Sequence, residues 1–259
     1  MTRLFHVSDI HFGSEDRAAI EWFAACVADE KPDAVIMTGD LTMRARSREF
    51  AAAGAWLNSL GVPVTVEVGN HDLTYFNPFE RMFQPYRRYK RVERMVERPL
   101  DIQGVAIVPL RTTARFQLRT NWSKGHVARR QLRKTLKLID AIDKQDAIIV
   151  ACHHPLIDQG TQSTAETTHG EEALTALARA GADAVLTGHV HDPFDVEHKV
   201  DGSPIRLIGA GTLSTRTRVS PPAFNELRID GSRIETIARA MDTAPARELA
   251  VAPGARIGG

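Results

Sequence analysis

Residues 182–194 read ADAVLTGHVHDPF, an apolar run that ends at a glycine and is followed by two histidines. The run ADAVLT is short and rich in alanine, valine and leucine, which is typical of a strand buried on both faces. Because side chains alternate along an extended backbone, His189 and His191 are expected to point to the same side. Such a pair suits a shared metal site, but it suits two surface histidines equally well. A metal assignment therefore depends on further ligands elsewhere in the chain.

The same kind of apolar run recurs along the chain and alternates with segments of helical period. The predicted strands cover residues 3–8, 33–38, 62–68, 104–110, 147–152 and 182–187, and the predicted helices cover 15–30, 47–60, 78–97, 128–144 and 171–180. This alternation predicts an α/β fold with mostly parallel strands. After residue 192 the strand-like runs are closely spaced, with Asp-Gly turns at 201–202 and 230–231. This spacing predicts antiparallel pairing in the last third.

Composition limits the class of protein. The chain has 259 residues, of which 43% are hydrophobic, and we expect one domain over residues 1–241 followed by a flexible tail, 242–259. A net charge of +1 creates no overall field that would attract nucleic acid or membrane. Cys26 and Cys152 lie in apolar segments and are interpreted as reduced core residues. With no apolar leader before Asp9, we expect a cytoplasmic protein.

Five predicted strands are followed by side chains that can bind metals. The segments are Asp9-Ile10-His11, Gly39-Asp40, Gly69-Asn70-His71-Asp72, His153-His154-Pro155 and Gly188-His189-Val190-His191. Sheets of this class place their ligands at the carboxyl ends of the strands. The two histidines of the opening stretch therefore have potential partners at the same edge.

Each of these segments also has a purely structural explanation when it is taken alone. Asp9 and Asp40 fit turns after strands, Asn70 fits a turn or a helix cap, and His153-His154-Pro155 fits a helix boundary. Turn chemistry does not explain why five separate strand ends all carry such residues. The combination therefore predicts a metal site.

The ordered set D-x-H, G-D, G-N-H-D, H and G-H-x-H resembles that of the calcineurin-like metallophosphoesterases and runs from Asp9 to His191. Within that family, HVSDIHF, HHP and the chain length are most similar to the class III cyclic-nucleotide phosphodiesterases and their glycerophosphodiesterase-like relatives. The resemblance implies a four-layer αββα sandwich of two mixed sheets flanked by helices. It also implies a dinuclear metal site at the carboxyl ends of the strands.

The resemblance assigns roles to individual residues. It implies that one metal ion is held by Asp9, His11 and His191, that a second is held by Asn70, His153 and His189, and that both are bridged by Asp40. His71 would be catalytic, facing the substrate, and we expect it to act as general acid for the departing alkoxide. Asp72 and His154 are expected to orient ligands through hydrogen bonds.

These residue types suit two divalent transition-metal ions. A bridging carboxylate such as Asp40 can hold two cations roughly 3.5–4 Å apart, and such a pair clamps phosphoryl oxygens and activates a hydroxide that attacks phosphorus. Imidazole together with carboxylate favours manganese, iron or zinc over magnesium or calcium, without choosing among those three. We therefore expect a metal-dependent phosphodiesterase that acts on a small anionic phosphodiester.

A basic segment bears on the substrate. Between Arg111 and Lys137 the chain has nine lysines or arginines and no acidic residue, whereas cyclic-nucleotide members commonly carry an Asp-Ser pair within 111–113. Two interpretations stay open. Residues 73–137 could form a basic cap or lid over an anionic substrate, or the charges could be the solvated face of a helix. The candidate substrate contacts are Arg111, Arg115 and Arg119.

Three other functions remain as alternatives. A pyrophosphohydrolase of nucleotide-linked lipid precursors would use the stretch LTYFNPFERMF at 73–83 as a membrane-facing cap, with peripheral membrane contact. A nuclease fits poorly with a net charge of +1 and no aromatic-basic platform, so no stable nucleic-acid complex is expected. A non-catalytic metal-dependent scaffold is opposed by the complete ligand set and by His71. The natural substrate, the native metals and the oligomeric state do not follow from the sequence.

Overall fold

Helices and strands alternate as far as the sixth strand, and a run of strands follows. A computed structural model describes residues 1–74, 77–97, 100–114, 123–143, 146–162, 164, 167–218 and 220–241. The predicted tail, 242–259, lies outside these residues. The helices are α1 Arg17–Glu30, α2 Ser47–Ser59, α3 Pro78–Phe83, α4 Arg87–Val96, α5 Arg129–Asp140 and α6 Gly170–Arg179. The strands are β1 Thr2–Val7, β2 Ala34–Met37, β3 Val64–Val66, β4 Val105–Pro109, β5 Ala147–Ala151, β6 Ala184–Thr187, β7 Phe194–Val200, β8 Ser203–Gly209, β9 Ala223–Asp230 and β10 Arg233–Ala240.

The strands form two mixed sheets. The first has the order β10-β9-β1-β2-β3, and the second has the order β4-β5-β6-β8-β7. In the first sheet β1, β2 and β3 are parallel, β9 pairs antiparallel with β1, and β10 pairs antiparallel with β9. In the second sheet β4, β5, β6 and β8 are parallel, and β7 pairs antiparallel with β8. Each sheet therefore collects the carboxyl ends of several parallel strands at one edge.

Three apolar clusters separate four layers. The central cluster lies between the two sheets and includes Leu4 and Ile36 from the first sheet and Ile149, Leu186 and Ile208 from the second. The other two clusters pack helices on the outer faces of the sheets. Full burial of an aliphatic side chain of this size contributes about 1.5–3 kcal/mol to stability. The predicted α/β sandwich of two mixed sheets flanked by helices is confirmed.

The predicted helix at 78–97 is wrong, because the structure has two helices there. Gln84, which ends α3, has non-helical dihedral angles (φ −139°, ψ 51°). Pro85 explains the break, since proline has no backbone N–H and disfavours helical geometry in the residue before it. The chain resumes helical geometry at Arg87 in α4.

The predicted antiparallel pairing in the last third is confirmed for the hairpins β7–β8 and β9–β10, but β8 also pairs in parallel with β6, which was not predicted. The hairpin between β7 and β8 turns at Asp201 and Gly202, whose positive φ angles of 51° and 86° suit a tight two-residue turn. This turn brings β8 back alongside β6. The residues that follow β8 consequently emerge at the same edge as the histidines that follow β6.

Helix α5 shows which of the two interpretations, substrate lid or solvated helix face, applies to its part of the basic segment. Ile139 is buried and Leu132 and Leu136 pack against the outer cluster of the second sheet, whereas Arg129, Arg133 and Lys137 are exposed. This portion of the basic segment is a solvated helix face. None of the helices in the described ranges has both the length and the apolarity that a bilayer crossing requires.

Candidate metal centre

The predicted ligand segments meet where the parallel strands of the two sheets end. Two hydrogen bonds join the sheets directly at this point. His153 Nδ1, after β5, lies 2.8 Å from the carbonyl oxygen of Thr38, after β2. The backbone N–H of His189, after β6, donates to Asp9 Oδ2, after β1, at 2.8 Å. The site is therefore built from both sheets and depends on their packing.

The backbone at this edge is held in an unusual conformation. Asp9, His11, Asp40, His189 and His191 all have positive φ angles, between 46° and 71°. Non-glycine residues rarely adopt this left-handed region, and each instance is costly unless the surrounding structure enforces it. Five of the seven predicted ligands thus share a strained geometry, which is a feature of functional sites.

Two glycines permit the close approach of these segments. A side chain at Gly188 would place its Cβ 2.5 Å from Asp9 Oδ2, and one at Gly69 would overlap the carboxylate of Asp40. Both contacts are far too short for a real Cβ. The glycines of the G-N-H-D and G-H-x-H motifs are therefore required by packing around the carboxylates.

Asp9, His11 and His191 form a first cluster. His191 Nε2 lies 3.1 Å from Asp9 Oδ1, and the Nε2 atoms of His11 and His191 lie 3.3 Å apart. The other ring nitrogens face backbone carbonyls: Nδ1 of His11 lies 3.4 Å from the oxygen of Thr42, and Nδ1 of His191 lies 2.7 Å from the oxygen of Arg216. Since a carbonyl only accepts hydrogen bonds, each Nδ1 carries the proton and each Nε2 presents a lone pair.

This arrangement fits a cation. Two imidazole lone pairs face each other, and Asp9 Oδ1 is buried with no hydrogen-bond partner among the described residues, despite its proximity to His191. Acceptors that converge in this way repel one another unless a positive charge lies between them. The donor set of two imidazoles and one carboxylate suits a transition metal.

Asn70, His153 and His189 form a second cluster. His153 Nε2 lies 3.1 Å from Asn70 Oδ1. The His189 ring lies 5.3 Å from the His153 ring, centroid to centroid, and both are buried or nearly so. His154 is close to both rings but its nitrogens are engaged, by the Thr112 hydroxyl and by a backbone carbonyl, each at 2.9 Å. Neither contact reaches a predicted ligand, so the orienting role of His154 stays a prediction.

Asp40 lies between the two clusters. Its Oδ2 is 3.7 Å from His11 Nε2 and 3.4 Å from His153 Nε2, and its Oδ1 accepts a 2.8 Å hydrogen bond from the backbone N–H of His71. Burial opposes ionisation of this carboxyl, but the imidazoles of His153 and His71 hold its pKa below the usual range. Conversely, burial alone would lower the pKa of His153, and the Asp40 carboxylate raises it to about 9. A cation at the second cluster would displace that proton.

Asp72 supports both loops that carry ligands. Its Oδ2 accepts from the backbone N–H groups of Leu41 and Gly69, and its Oδ1 accepts from the N–H of Thr42. Burial and the nearby Asp40 charge raise the pKa of Asp72 to about 7. The side chain accepts from N–H groups next to Asp40 and Asn70, and its role in orienting those predicted ligands stays a prediction.

Both ring nitrogens of His71 make polar contacts. Its Nδ1 lies 2.8 Å from the carbonyl oxygen of Met43, and its Nε2 lies 3.0 Å from Nη1 of Arg216. The Nδ1 atom therefore carries the proton, and Nε2 accepts from the guanidinium. In this arrangement Nε2 has no proton to give to a leaving group.

A cavity of about 310 Å³ opens over the clusters. Its walls include His71 and the ligands Asp40 and His191, together with Arg216 and Lys124. The lining is predominantly polar. The cavity therefore suits a small, charged substrate placed directly on the two clusters.

The structure does not bring Arg111 to this cavity. Its guanidinium instead stacks over the ring of Tyr86, 4.4 Å from the centroid. Arg115 and Arg119 lie outside the described residues. The basic cavity residues that we did not identify from the sequence are Lys124, Arg216 and Arg218. The two arginines follow the strand-like run PIRLIGA, and recognising that β8 is parallel to β6 would have pointed to them.

Comparisons with known proteins identify the family and agree with the fold. A family model described as calcineurin-like phosphoesterase matches residues 2–193. A dimetal phosphatase from Danio rerio is similar in structure, with 13% identity, a TM-score of 0.65 and coverage of 92% of this chain and 98% of that one. A purple acid phosphatase from yellow lupin seeds has 13% identity and a TM-score of 0.69, covering 95% of this chain and 52% of that one. The phosphopantetheinyl hydrolase from Mycobacterium tuberculosis has 18% identity and a TM-score of 0.52, covering 82% and 90%.

Proposed function

This chain belongs to the calcineurin-like phosphoesterase family, and from that premise we propose that it hydrolyses phosphodiesters at a dinuclear metal centre. The family supports metal-dependent phosphoester hydrolysis in general. The observation that carries the narrower proposal is the pair of converging ligand clusters joined by Asp40, beneath a cavity that has basic residues on its walls.

The residues of the two clusters fit two divalent cations. One would be held by Asp9, His11 and His191, the other by Asn70, His153 and His189, and both by Asp40. When bound, such cations supply Lewis-acid stabilisation of charge on phosphoryl oxygens and lower the pKa of a water molecule. The protein contributes orientation, since backbone carbonyls fix the rings of His11, His153 and His191 through Nδ1.

A preference for diesters follows from basic groups that lie beyond the ligands. Lys124 lines the cavity, and its Nζ is held by the Thr164 side chain at 2.9 Å and by the Thr164 carbonyl at 3.1 Å. Arg218 lines the same cavity and is exposed. A second ester arm would reach these groups while the phosphoryl group lies on the metals. Binding energy gained on that arm can be used at the reacting centre.

We expect kcat/KM to be higher for bis-nitrophenyl phosphate than for mono-nitrophenyl phosphate, with the same metal in both assays. Lys124→Ala and Arg218→Ala should lower the rate for the diester more than the rate for the monoester. Steady-state kinetics on metal-reconstituted protein would measure both effects. Equal values for the two substrates would instead indicate a phosphomonoesterase. Absence of turnover on either one, with both metals bound, would indicate the scaffold alternative.

A second candidate, hydrolysis of a lipid-linked pyrophosphate, is favoured by one surface. Helix α3 exposes three large apolar side chains, Phe79, Met82 and Phe83, with 77%, 54% and 71% of their surface accessible. The adjoining helix α4 exposes Lys90 and Arg91. Apolar side chains flanked by basic ones are typical of surfaces that bind anionic membranes.

If this surface binds membranes, the protein should sediment with vesicles that contain anionic lipid. Replacing Phe79 and Phe83 together with serine should weaken that binding roughly tenfold or more, since two aromatic side chains no longer enter the interface. Leu138→Ser is a matched control, because Leu138 is an exposed apolar residue on a different helix, α5. Failure of the wild-type protein to sediment, or equal sedimentation of the double variant, would remove the lipid candidate.

A further inference from the structure

We propose that Arg216 is a catalytic residue that binds a phosphoryl oxygen of the substrate, and that His71 positions its guanidinium for that contact. The inference rests on the proposed function only in requiring a phosphoester substrate. It assigns a role to a residue that lies beyond the five ligand segments, on the loop after β8. It also changes the role expected for His71 from proton donor to positioning residue.

The backbone of this loop is built onto the metal centre. The Thr212 hydroxyl donates to the carbonyl oxygen of Asp9 at 2.6 Å and lies 2.7 Å from the Ser214 hydroxyl. Ser214 Oγ accepts from the backbone N–H of Arg216 at 3.3 Å, and the carbonyl oxygen of Arg216 accepts from His191 Nδ1 at 2.7 Å. The loop is thus tied to two residues of the first cluster, and this fixes the position of Arg216 relative to that cluster.

The guanidinium of Arg216 lacks a counter-ion within the described residues. Its Nη1 contacts His71 Nε2 at 3.0 Å and lies 3.7 Å from the sulfur of Met43, but no described carboxylate forms an ion pair with it. Among the described residues, no group accepts a hydrogen bond from its Nε or Nη2. Arginine presents its donors in a planar fork that matches phosphate oxygens. A half-buried, unpaired arginine on the wall of this cavity is therefore complementary to a phosphoryl group.

His71 can orient this guanidinium because its tautomer is fixed. Donation from Nδ1 to the Met43 carbonyl leaves a lone pair on Nε2, which accepts from Arg216. The backbone N–H of His71 donates to Asp40 Oδ1. His71 therefore contacts Asp40 through its backbone and the guanidinium through its ring, and all three residues line the same cavity.

The proposal can be tested by measuring the binding of inorganic phosphate to metal-reconstituted protein by calorimetry, which needs no turnover. Arg216→Ala is expected to weaken phosphate binding at least roughly tenfold and to lower kcat/KM by roughly 10²–10³-fold, with metal content unchanged. Arg216→Lys should restore part of both losses, and added guanidinium ion should raise the rate of Arg216→Ala. Arg218→Ala is the contrasting variant, because it should alter the preference for diesters while phosphate affinity stays as in the wild type.

Unchanged phosphate affinity in Arg216→Ala would overturn the proposal, and so would loss of metal from that variant, which would give Arg216 a structural role. The role of His71 is tested separately by the leaving group. His71→Ala should lower phosphate affinity and should slow alkyl and nitrophenyl esters by the same factor, whereas a much larger loss on alkyl esters would restore its assignment as general acid. Equal rates on diesters and monoesters would refute the diester preference but leave the phosphate measurement valid, so the two proposals fail independently.

Discussion

Replacing Asp40 with alanine is expected to remove both metal ions and abolish hydrolysis. The carboxylate faces His11 in one cluster and His153 in the other, so its loss takes a ligand from both. It also removes one of the two buried carboxylates, Asp9 and Asp40, whose charge would offset the cations. We expect elemental analysis to find about two metal ions in the reconstituted wild-type protein and close to none in the variant.

His191→Ala is the matched comparison for Asp40→Ala, because His191 belongs to the first cluster alone. That variant should lose one ion and keep much of the second. Circular dichroism and thermal melting would establish that both variants fold. Retention of two ions by folded Asp40→Ala, or a larger loss from His191→Ala, would mean that Asp40 is not a bridge.

The location of the site was predictable because its ligands are close in sequence to the strands that carry them. Each of the predicted ligands follows a short apolar run by only a few residues, and parallel strands bring their carboxyl ends to one edge. Asp9, Asp40 and His189 could therefore be assigned to the same edge without knowledge of the strand order. The positive φ angles at these positions were not predictable, since no local pattern requires a left-handed aspartate or histidine.

Arg216 could not be predicted in the same way, because its position depends on strand pairing. The run PIRLIGA after the 201–202 turn looks like one arm of a hairpin, and a hairpin alone would not bring its end to the metal edge. Only the parallel register between β6 and β8 does so, with Thr187 opposite Gly209. The contact from Arg216 to His71 then joins residues 145 positions apart in sequence. Arg111 shows the opposite error. It was a candidate substrate contact because of its place in the basic segment, but its guanidinium stacks on Tyr86 and does not face the cavity.

Two polar atoms inside this site are buried without a partner. Buried polar groups are normally paired, yet among the described residues neither the acceptor Asp9 Oδ1 nor the donor Asn70 Nδ2 has a hydrogen-bond partner. Neighbouring backbone groups hold the site in place. Backbone carbonyls contact Nδ1 of His11, His153 and His191, and backbone N–H groups donate to the carboxylate of Asp72. The stability of the metal centre should therefore depend on these supporting contacts as well as on the ligands.

Asp72→Asn is expected to weaken metal binding roughly 10–100-fold although Asp72 is not a proposed ligand. Its carboxylate accepts from the N–H groups of Leu41, Thr42 and Gly69, which flank Asp40 on one loop and Asn70 on the other. An asparagine has only one acceptor oxygen, so its NH2 group must face at least one of these N–H donors. Each buried donor left without an acceptor costs about 1–3 kcal/mol of stability. Metal titration and thermal unfolding of the same sample would measure the two effects.

Asp183→Ala separates the loss of a hydrogen-bond acceptor from the loss of support for the metals. Asp183 precedes β6, at the opposite end of the strand from the histidines, and accepts a 2.8 Å hydrogen bond from the N–H of Ile148. This variant should lose stability while its metal affinity stays unchanged. If Asp72→Asn behaves in the same way, the Asp72 contacts stabilise the fold without setting the ligand geometry. If only Asp72→Asn loses metal, the two ligand loops are held in register by a single carboxylate, and Asp40 and Asn70 depend on it for their positions.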